Sequence, residues 1–339
     1  MLSTRFCVIA IRFAVFLLCW SLTINPAFGW NAAGHKIIAS IAFRQLSTDE
    51  QNKVVAMLKR HPRFTEDFAD QMPEEVRSTD DATQFEWLFQ QSAIWPDVVR
   101  GGPPARRALN RPEWHYVNLP HYLTDAARAE LAGRLTINVA TDPPPDATLE
   151  TPHLNIVQTI RFARRVVADR TASPQDRAVL LAWIFHDVGD IHQPLHSVAL
   201  FSSRLFPEGD RGGNSVKSRQ SGNLHALWDQ FPGRDDSYRA ARNRAIELAG
   251  DQRFQQIRTD AAASLNEQDW RDESHGLAKF AAYADEVLAT LRRMDEVGAA
   301  VEGIDLSEEY LKTGGRVAEL RIVQAGYRLG AILKKIANE

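Results

Sequence analysis

Two segments of the chain carry a histidine and an aspartate four residues apart. His186 and Asp190 lie in His186-Asp187-Val188-Gly189-Asp190-Ile191-His192-Gln193-Pro194-Leu195-His196, and His225 and Asp229 lie in Asn223-Leu224-His225-Ala226-Leu227-Trp228-Asp229. On a helix this spacing sets imidazole and carboxylate on one face, a turn apart. One such pair alone is more often a hydrogen bond holding a helix end. Two of them, each embedded in apolar residues, point to metal ligation from helices. Three further segments set a ligand-type side chain beside bulky apolar neighbours: Trp30-Asn31-Ala32-Ala33-Gly34-His35, Ile94-Trp95-Pro96-Asp97-Val98-Val99-Arg100 and Trp114-His115-Tyr116-Val117-Asn118-Leu119-Pro120. Taken alone, each of these fits a core segment whose polar residue caps a helix or turn.

The elements that must position these groups are helices. Ala178 to Phe185 is apolar on all faces, the mark of a buried helix, and Pro194 forces the chain out of it before His196. His35, Ile38, Ile41, Ala42 and Leu46 recur at helical spacing. Ser47-Thr48-Asp49-Glu50 caps a second helix through about Leu58, and Asp81 to Gln91 forms a third, followed by Trp95-Pro96. Longer helical patterns cover Leu154–Asp169, Gln175–Gly189, Asp236–Leu248 and Arg316–Ala337. Strand-like alternation is scarce, and the punctuated stretches Gly101–Pro104, Thr141–Asp146 and Ser202–Gly222 read as loops. The chemically interesting residues are spread from Trp30 to Asp229, so they converge only within one folded unit. A single, mainly α domain over residues 30–339 is expected.

A formal net charge of −3, from 40 Lys+Arg against 43 Asp+Glu, provides no basic field to gather nucleic acid or acidic membrane. Any phosphate-binding charge must be local, or metallic. Arg5 and Arg12, the apolar run Phe13–Ile24, Pro26 and Ala27-Phe28-Gly29 have the order of a secretory signal peptide. Cleavage between Gly29 and Trp30, and a periplasmic or secreted mature protein, are expected. The apolar run falls short of the roughly 20 residues of a membrane-spanning helix. Both Cys7 and Cys19 would leave with residues 1–29, as would Arg5 and Arg12, which makes the mature chain mildly acidic. It is expected to be a monomer without stable membrane association.

With these segments together, the sequence resembles the type-one (S1/P1) single-strand-specific zinc nucleases, which also act as 3′-nucleotidases. The likeness runs from Trp30 to Ala325-Gly326-Tyr327-Arg328-Leu329 and is most specific at His186–His196. It implies a mainly α-helical domain around three zinc ions, shared in outline with zinc-dependent phospholipases C. By that resemblance, one zinc is held by Asp97, His115, His186 and Asp190. A neighbour is held by Trp30 and His35, with Asp190 bridging the two, and the third by His196, His225 and Asp229. Trp30 would ligate through its own α-amino nitrogen and carbonyl oxygen, so cleavage after Gly29 would create a ligand.

Such a set leaves coordination positions open, as in catalytic zinc sites, and paired zinc ions bring a shared water toward a pKa of ~7. The implied reaction is in-line hydrolysis of single-stranded RNA or DNA to 5′-phosphorylated products, with Asp97, Arg100 and Asp190 as catalytic residues. Arg100 matches a basic position near the scissile phosphate, Asn214 matches a base-binding asparagine, and Tyr116 is the candidate for stacking on an unpaired base. The plainer alternatives are a surface arginine, a turn residue and a packing aromatic. His192 is expected behind the ligands, and His61, His121, His153 and His275 away from the metals. Unlike fungal members, the mature chain has neither cysteine nor Asn-x-Ser/Thr sequon, and Asn155 stands where a family cysteine is common. A zinc-dependent phospholipase C and a non-catalytic periplasmic zinc-binding protein are the competing assignments.

Overall fold

The computed structural model describes residues 29–299 and 303–339. The expected leader, including Arg5, Arg12, the Phe13–Ile24 run, Cys7 and Cys19, lies outside the described residues. Helices α1 (Ala32–Phe43) and α2 (Thr48–Leu58) come first, then two single turns, α3 (Phe64–Asp67) and α4 (Glu74–Arg77), and the long α5 (Asp81–Val98). After α6 (Pro104–Arg107), strand β1 (Pro120–Tyr122) and α7 (Asp125–Leu131) come the central pair α8 (Ile156–Ala168) and α9 (Pro174–Asp190). Strands β2 (Ala199–Phe201), β3 (Lys217–Ser218) and β4 (Gly222–Asn223) lead into α10 (Leu224–Gln230). The chain closes with α11 (Tyr238–Gly250), α12 (Gln255–Ala263), α13 (Glu267–Leu277), α14 (Asp285–Val297) and α15 (Glu308–Asn338). The architecture is mainly α.

Helix α9 is the axis of the fold. Ser173 accepts a hydrogen bond from Asp176 N, Pro174 occupies the first turn where its missing N–H costs nothing, and every residue from Ala178 to Asp190 is buried. Helices α8, α5, α2, α1 and α15 surround it, which is why its sequence is apolar on all faces. Asn155, at the position of the family cysteine, caps α8 by accepting from Val157 N and Gln158 N while Gln158 reaches back. Helix α15 packs along α1 at close range, and a Cβ on Gly326 would lie 2.5 Å from Ile41 Cγ2.

Two helices run further than their periodicity suggests. Helix α5 continues seven residues past Gln91 and takes in Pro96, whose missing N–H falls in the last turn and removes a single bond. Helix α15 starts at Glu308, where Ser307 accepts from Tyr310 N, and not at Arg316. The strands are small: β1 pairs in parallel with β2, Pro120 opposite Ala199 and Tyr122 opposite Phe201, and β3 and β4 form a two-residue hairpin within the stretch read as loop. Among the described residues no helix is long and apolar enough to cross a membrane.

Candidate metal centre

The C-terminal turn of α9 carries His186 and Asp190 into a chamber walled by α1, α5 and the segment that leads into β1. Asp190 is fully buried and takes contacts from three sides. His35 Nε2 from α1 lies 3.1 Å from its Oδ1, His115 Nδ1 lies 2.9 Å from Oδ2, and His186 Nε2 lies 3.0 Å from Oδ2. The rings of His35 and His186 stack with centroids 4.1 Å apart. Asp97, on the last turn of α5, lies 3.9 Å from His186 Nε2, and Arg100 holds the same carboxylate oxygen at 2.8 Å. The extra turn of α5 through Pro96 is what brings Asp97 here.

The second half of the centre comes from the chain after Pro194 and from α10. His196 Nε2 and His225 Nε2 lie 3.2 Å apart, and Asp229 Oδ2 is 3.6 Å from His225 Nε2. Gln193 donates to the other Asp229 oxygen at 2.8 Å and fixes the carboxylate. Contacts between the segments that lead into β1 and β2 tie the two halves together: Val117 N donates to His196 O, and His196 Nδ1 donates to His115 O at 2.6 Å.

The chemistry of these donors fits divalent cations. His186, His196 and His225 each turn Nδ1 to a backbone carbonyl, that of Ala93 at 2.7 Å, His115 at 2.6 Å and Gly212 at 2.6 Å. A carbonyl only accepts, so each ring keeps a proton on Nδ1 and turns Nε2 inward, the outer-shell arrangement that fixes a metal-ligating imidazole. The Nε2 atoms of His196 and His225 come within 3.2 Å of each other, where a cation would take a lone pair from each. Among the described residues four groups each bring three ligand atoms within 4.8 Å of one another, three of which are His35, His186 and Asp190; Asp97, His115 and His186; and His196, His225 and Asp229.

Charge follows the same pattern. Burial, and then the charge of Arg100, push His115 down to about 3, and burial with the neighbouring His186 lowers His35, so both rings stay neutral as metal ligation requires. Burial alone would raise the Asp190 carboxyl, yet the charges of His186 and His196 and hydrogen bonds from His115 and His186 hold it well below the usual carboxylate range. Asp229 goes the other way, raised well above that range by burial.

Trp30 is fully buried and caught in the same chamber. Asn31 N donates to Asp229 O, and a Cβ on Gly29 would lie 1.5 Å from Asp190 Oδ1, so the main chain at residue 29 lies directly against the Asp190 carboxylate. Tyr116 lines a cleft beside the His196–His225 pair together with Asn118, Leu195, Arg211 and Gly212. A cavity of about 740 Å³ next to it shares Tyr116 and Asn118. Asn214 is not among the residues lining that cleft, and its amide donates to Arg211 O at 2.8 Å across the turn.

Asn118 and Arg211 are cleft residues that sequence reasoning passed over. A signal existed for Asn118, three residues from His115 in an extended stretch, and none for Arg211, whose position depends on a left-handed backbone (φ 60°). His192 is buried just past the end of α9, where Arg328 donates to its Nε2 at 2.7 Å and its Nδ1 donates to Val188 O at 2.7 Å. Glu273 in turn pairs with both Arg321 and Arg328. His61, His121, His153 and His275 belong to none of the ligand groups.

The sequence profile described as S1/P1 Nuclease matches residues 30–338. Nuclease S1 of Aspergillus oryzae is 30% identical over 170 residues, covering 47% of this chain and 54% of that protein. Endonuclease 1 of Arabidopsis thaliana is 28% identical over 169 residues, covering 47% of this chain and 50% of that protein. The match therefore spans about half the length of either relative. Endonuclease 3 of Arabidopsis thaliana is 23% identical over 336 residues, covering 95% of this chain and 94% of that protein.

Proposed function

The chain belongs to the S1/P1 nuclease family, and from that premise we propose that it is a trinuclear zinc phosphodiesterase that hydrolyses single-stranded RNA and DNA to 5′-phosphorylated products, with 3′-nucleotidase activity beside it. The observation that carries this reading is the set of imidazoles anchored through Nδ1, whose Nε2 atoms converge on Asp190 and Asp229. Asp97, His115, His186 and Asp190 would hold one zinc, Trp30 and His35 with Asp190 a second, and His196, His225 and Asp229 the third. Bound there, zinc supplies Lewis acidity toward phosphate oxygens and brings the pKa of a water molecule toward ~7.

The chain's own residues supply position. Asp97 and Asp190 orient the ligand rings, and Arg100, held at 2.8 Å by Asp97, presents a guanidinium to phosphate. Tyr116 offers a face for stacking on an unpaired base, which a duplex hides, and Asn118 offers an amide to a base edge. Asn214 acts by holding the Arg211 turn against that cleft. Residues 1–29 act as a leader whose removal between Gly29 and Trp30, on the way to the periplasm or medium, frees the Trp30 amine beside Asp190. Residues 30–339 are the nuclease domain, and the mature chain acts as a monomer.

The test is hydrolysis of end-labelled single-stranded RNA and DNA, with matched duplexes, by protein that begins at Trp30. Fragments with 5′-phosphates, lost on chelation and restored by zinc, are the expected result. No cleavage by zinc-loaded protein would reject the nuclease assignment, and phosphocholine release from lecithin by the same protein would replace it with a phospholipase C.

A further inference from the structure

Away from the metal centre the chain keeps a concentration of positive charge that the ligand sets do not use. Toward the C-terminal ends of α8 and α15, a cavity of about 310 Å³ is lined by Arg161, Arg164, Arg165 and Lys335, with Glu267 and Glu339 as its carboxylates. A second cavity of about 410 Å³ shares Ile336 and Glu339 with the first and adds Lys53, Arg170 and Arg177. In a chain whose net charge is −3, this face is a local excess of cations. Helix α9 joins it to the metal centre, since Arg177 near its start and Asp190 at its end lie about 20 Å apart at ~1.5 Å per residue.

The ordinary reasons for surface cations cover only part of this. Arg165 and Lys335 lie in the last turns of α8 and α15, where the helix dipole favours a cation. Arg177, however, is the fourth residue of α9, at the end where a cation is disfavoured, and Lys53 lies in the middle of α2. Arg161 and Arg164 both reach Glu267, one carboxylate between two guanidinium groups. Arg165, Arg170 and Lys335 are exposed and, among the described residues, in no ion pair. The carboxylates at the rim are engaged, Asp49 with Lys53, Asp142 with Arg161, and Asp169 with the Thr171 N–H and hydroxyl. Like charges gathered in this way repel one another, and a polyanion relieves that repulsion.

We propose that this face is a second binding site for single-stranded nucleic acid, holding the phosphate backbone of a strand about 20 Å from where it is cut. The inference rests on the chain acting on nucleic acid, as in the proposed function, and adds no catalytic group. Arginine outnumbers lysine among the lining cations, and its planar fork matches phosphate oxygens in pairs. Ile332, Ile336 and Met57 give the sugars and bases an apolar floor, while no aromatic lines either cavity, so the grip is on the backbone and independent of sequence. The exposed large apolar side chains, Val139, Ile246, Phe280 and Val297, line neither cavity, so this face offers nothing to the interior of a lipid layer. A strand of 20 nucleotides reaches both sites even when stacked at ~3.4 Å per nucleotide, and a dinucleotide does not. Holding the strand at one site raises its effective concentration at the other.

The test uses zinc-loaded protein beginning at Trp30 and a variant combining Arg165→Glu, Arg170→Glu and Lys335→Glu. A second variant, Arg165→Gln with Arg170→Gln and Lys335→Gln, decides the matter should the first fail to fold. Binding of a fluorescent single-stranded phosphorothioate 20-mer, which keeps the backbone charge and is cut slowly, is followed by anisotropy across a salt series, and a dinucleotide serves as substrate for kinetics. The 20-mer should bind the Glu variant about 10-fold or more weakly, and the slope of log K against log salt should become shallower by about 2, at ~0.7 per phosphate contact on a single strand. The kcat/KM for the dinucleotide should be unchanged. Equal affinity and equal salt slope in a folded variant overturn the inference, and so does an equal loss on the dinucleotide, which would place the effect at the metal centre. Tighter binding of phosphatidylserine–phosphatidylcholine vesicles than of the 20-mer would make this a membrane face and overturn it too. Wild-type protein that binds the 20-mer through these residues yet cuts neither strand nor dinucleotide would uphold the second site and overturn the proposed function.

Discussion

Gly189→Ala separates the fold's preference from the site's. Gly189 lies in the last turn of α9, where alanine is favoured over glycine by roughly 0.8–1 kcal/mol. The added Cβ, however, would lie 2.6 Å from His35 Nδ1 and 2.8 Å from His35 Cε1. Ordinary contact begins near 3.4 Å, so the imidazole must retreat by about 0.8 Å. It has little freedom to do so, being fully buried, stacked on His186 and 3.1 Å from Asp190. Overpacking of this kind costs about 1–3 kcal/mol, so after the helix gain the net loss of stability is expected to be about 0–2 kcal/mol. The effect on the centre is larger, because metal–ligand distances tolerate only about 0.2 Å and a misplacement near 1 Å can cost about 100-fold in rate. Zinc content by mass spectrometry, thermal midpoint and nuclease rate should be measured together, with Gly276→Ala as control, since a Cβ there meets nothing within 4 Å. A stabilised Gly189→Ala variant with full zinc and full activity would refute the reasoning, since it would show that His35 needs no fixed position.

Three other outcomes follow from described contacts. Glu273→Gln removes the carboxylate charge facing the nearly fully buried Arg321 and Arg328, which keep their bonds to His192, Trp270 and Ser274, and should cost about 1.5–3 kcal/mol in urea unfolding; Glu309→Gln, which removes an exposed ion pair with Arg316, should cost under about 1 kcal/mol. His61 is pushed down to about 3 by burial, so its neutral form is favoured in the folded chain and stability is lost as pH falls from about 6.5 toward 3, where only the unfolded chain gains the proton; His61→Phe should flatten that part of a stability–pH curve, and an unchanged slope would count against the assignment. Protein made to begin at Gly29 should bind less zinc than protein beginning at Trp30, because residue 29 lies against Asp190; equal zinc content would remove Trp30 from the ligand set.

The parts of this molecule legible in one dimension are those set by periodicity. Helix α9 announces itself because burial on every side demands apolar residues on every face, and the four-residue spacing of His186 and Asp190 then fixes a shared direction. His35, Asp97, His115, His196 and His225 were each visible as one polar residue among bulky apolar ones, and the fold gathers them into three groups. What periodicity hid was continuation and contact. Helix α5 runs on through Pro96 because a proline in a last turn costs one bond, and it is this that delivers Asp97. The Glu273, Arg321 and Arg328 cluster behind His192 joins residues far apart in sequence, so no local pattern marks it. Asp187 carries no signal of its own in the sequence, and its complete burial is seen only in the fold.

The two hydrogen bonds between the segments of His115 and His196 have a consequence for how ions are taken up. In the proposed centre one imidazole would serve the first ion and the other the third, yet Val117 N donates to His196 O while His196 Nδ1 donates to His115 O. Whatever ion orders one ring therefore orders the main chain that carries the other, and the ordering entropy is spent once for both. Filling should be cooperative: at zinc concentrations that half-saturate the protein, fully loaded and empty molecules should outnumber partly loaded ones, and the titration should be steeper than that of independent sites.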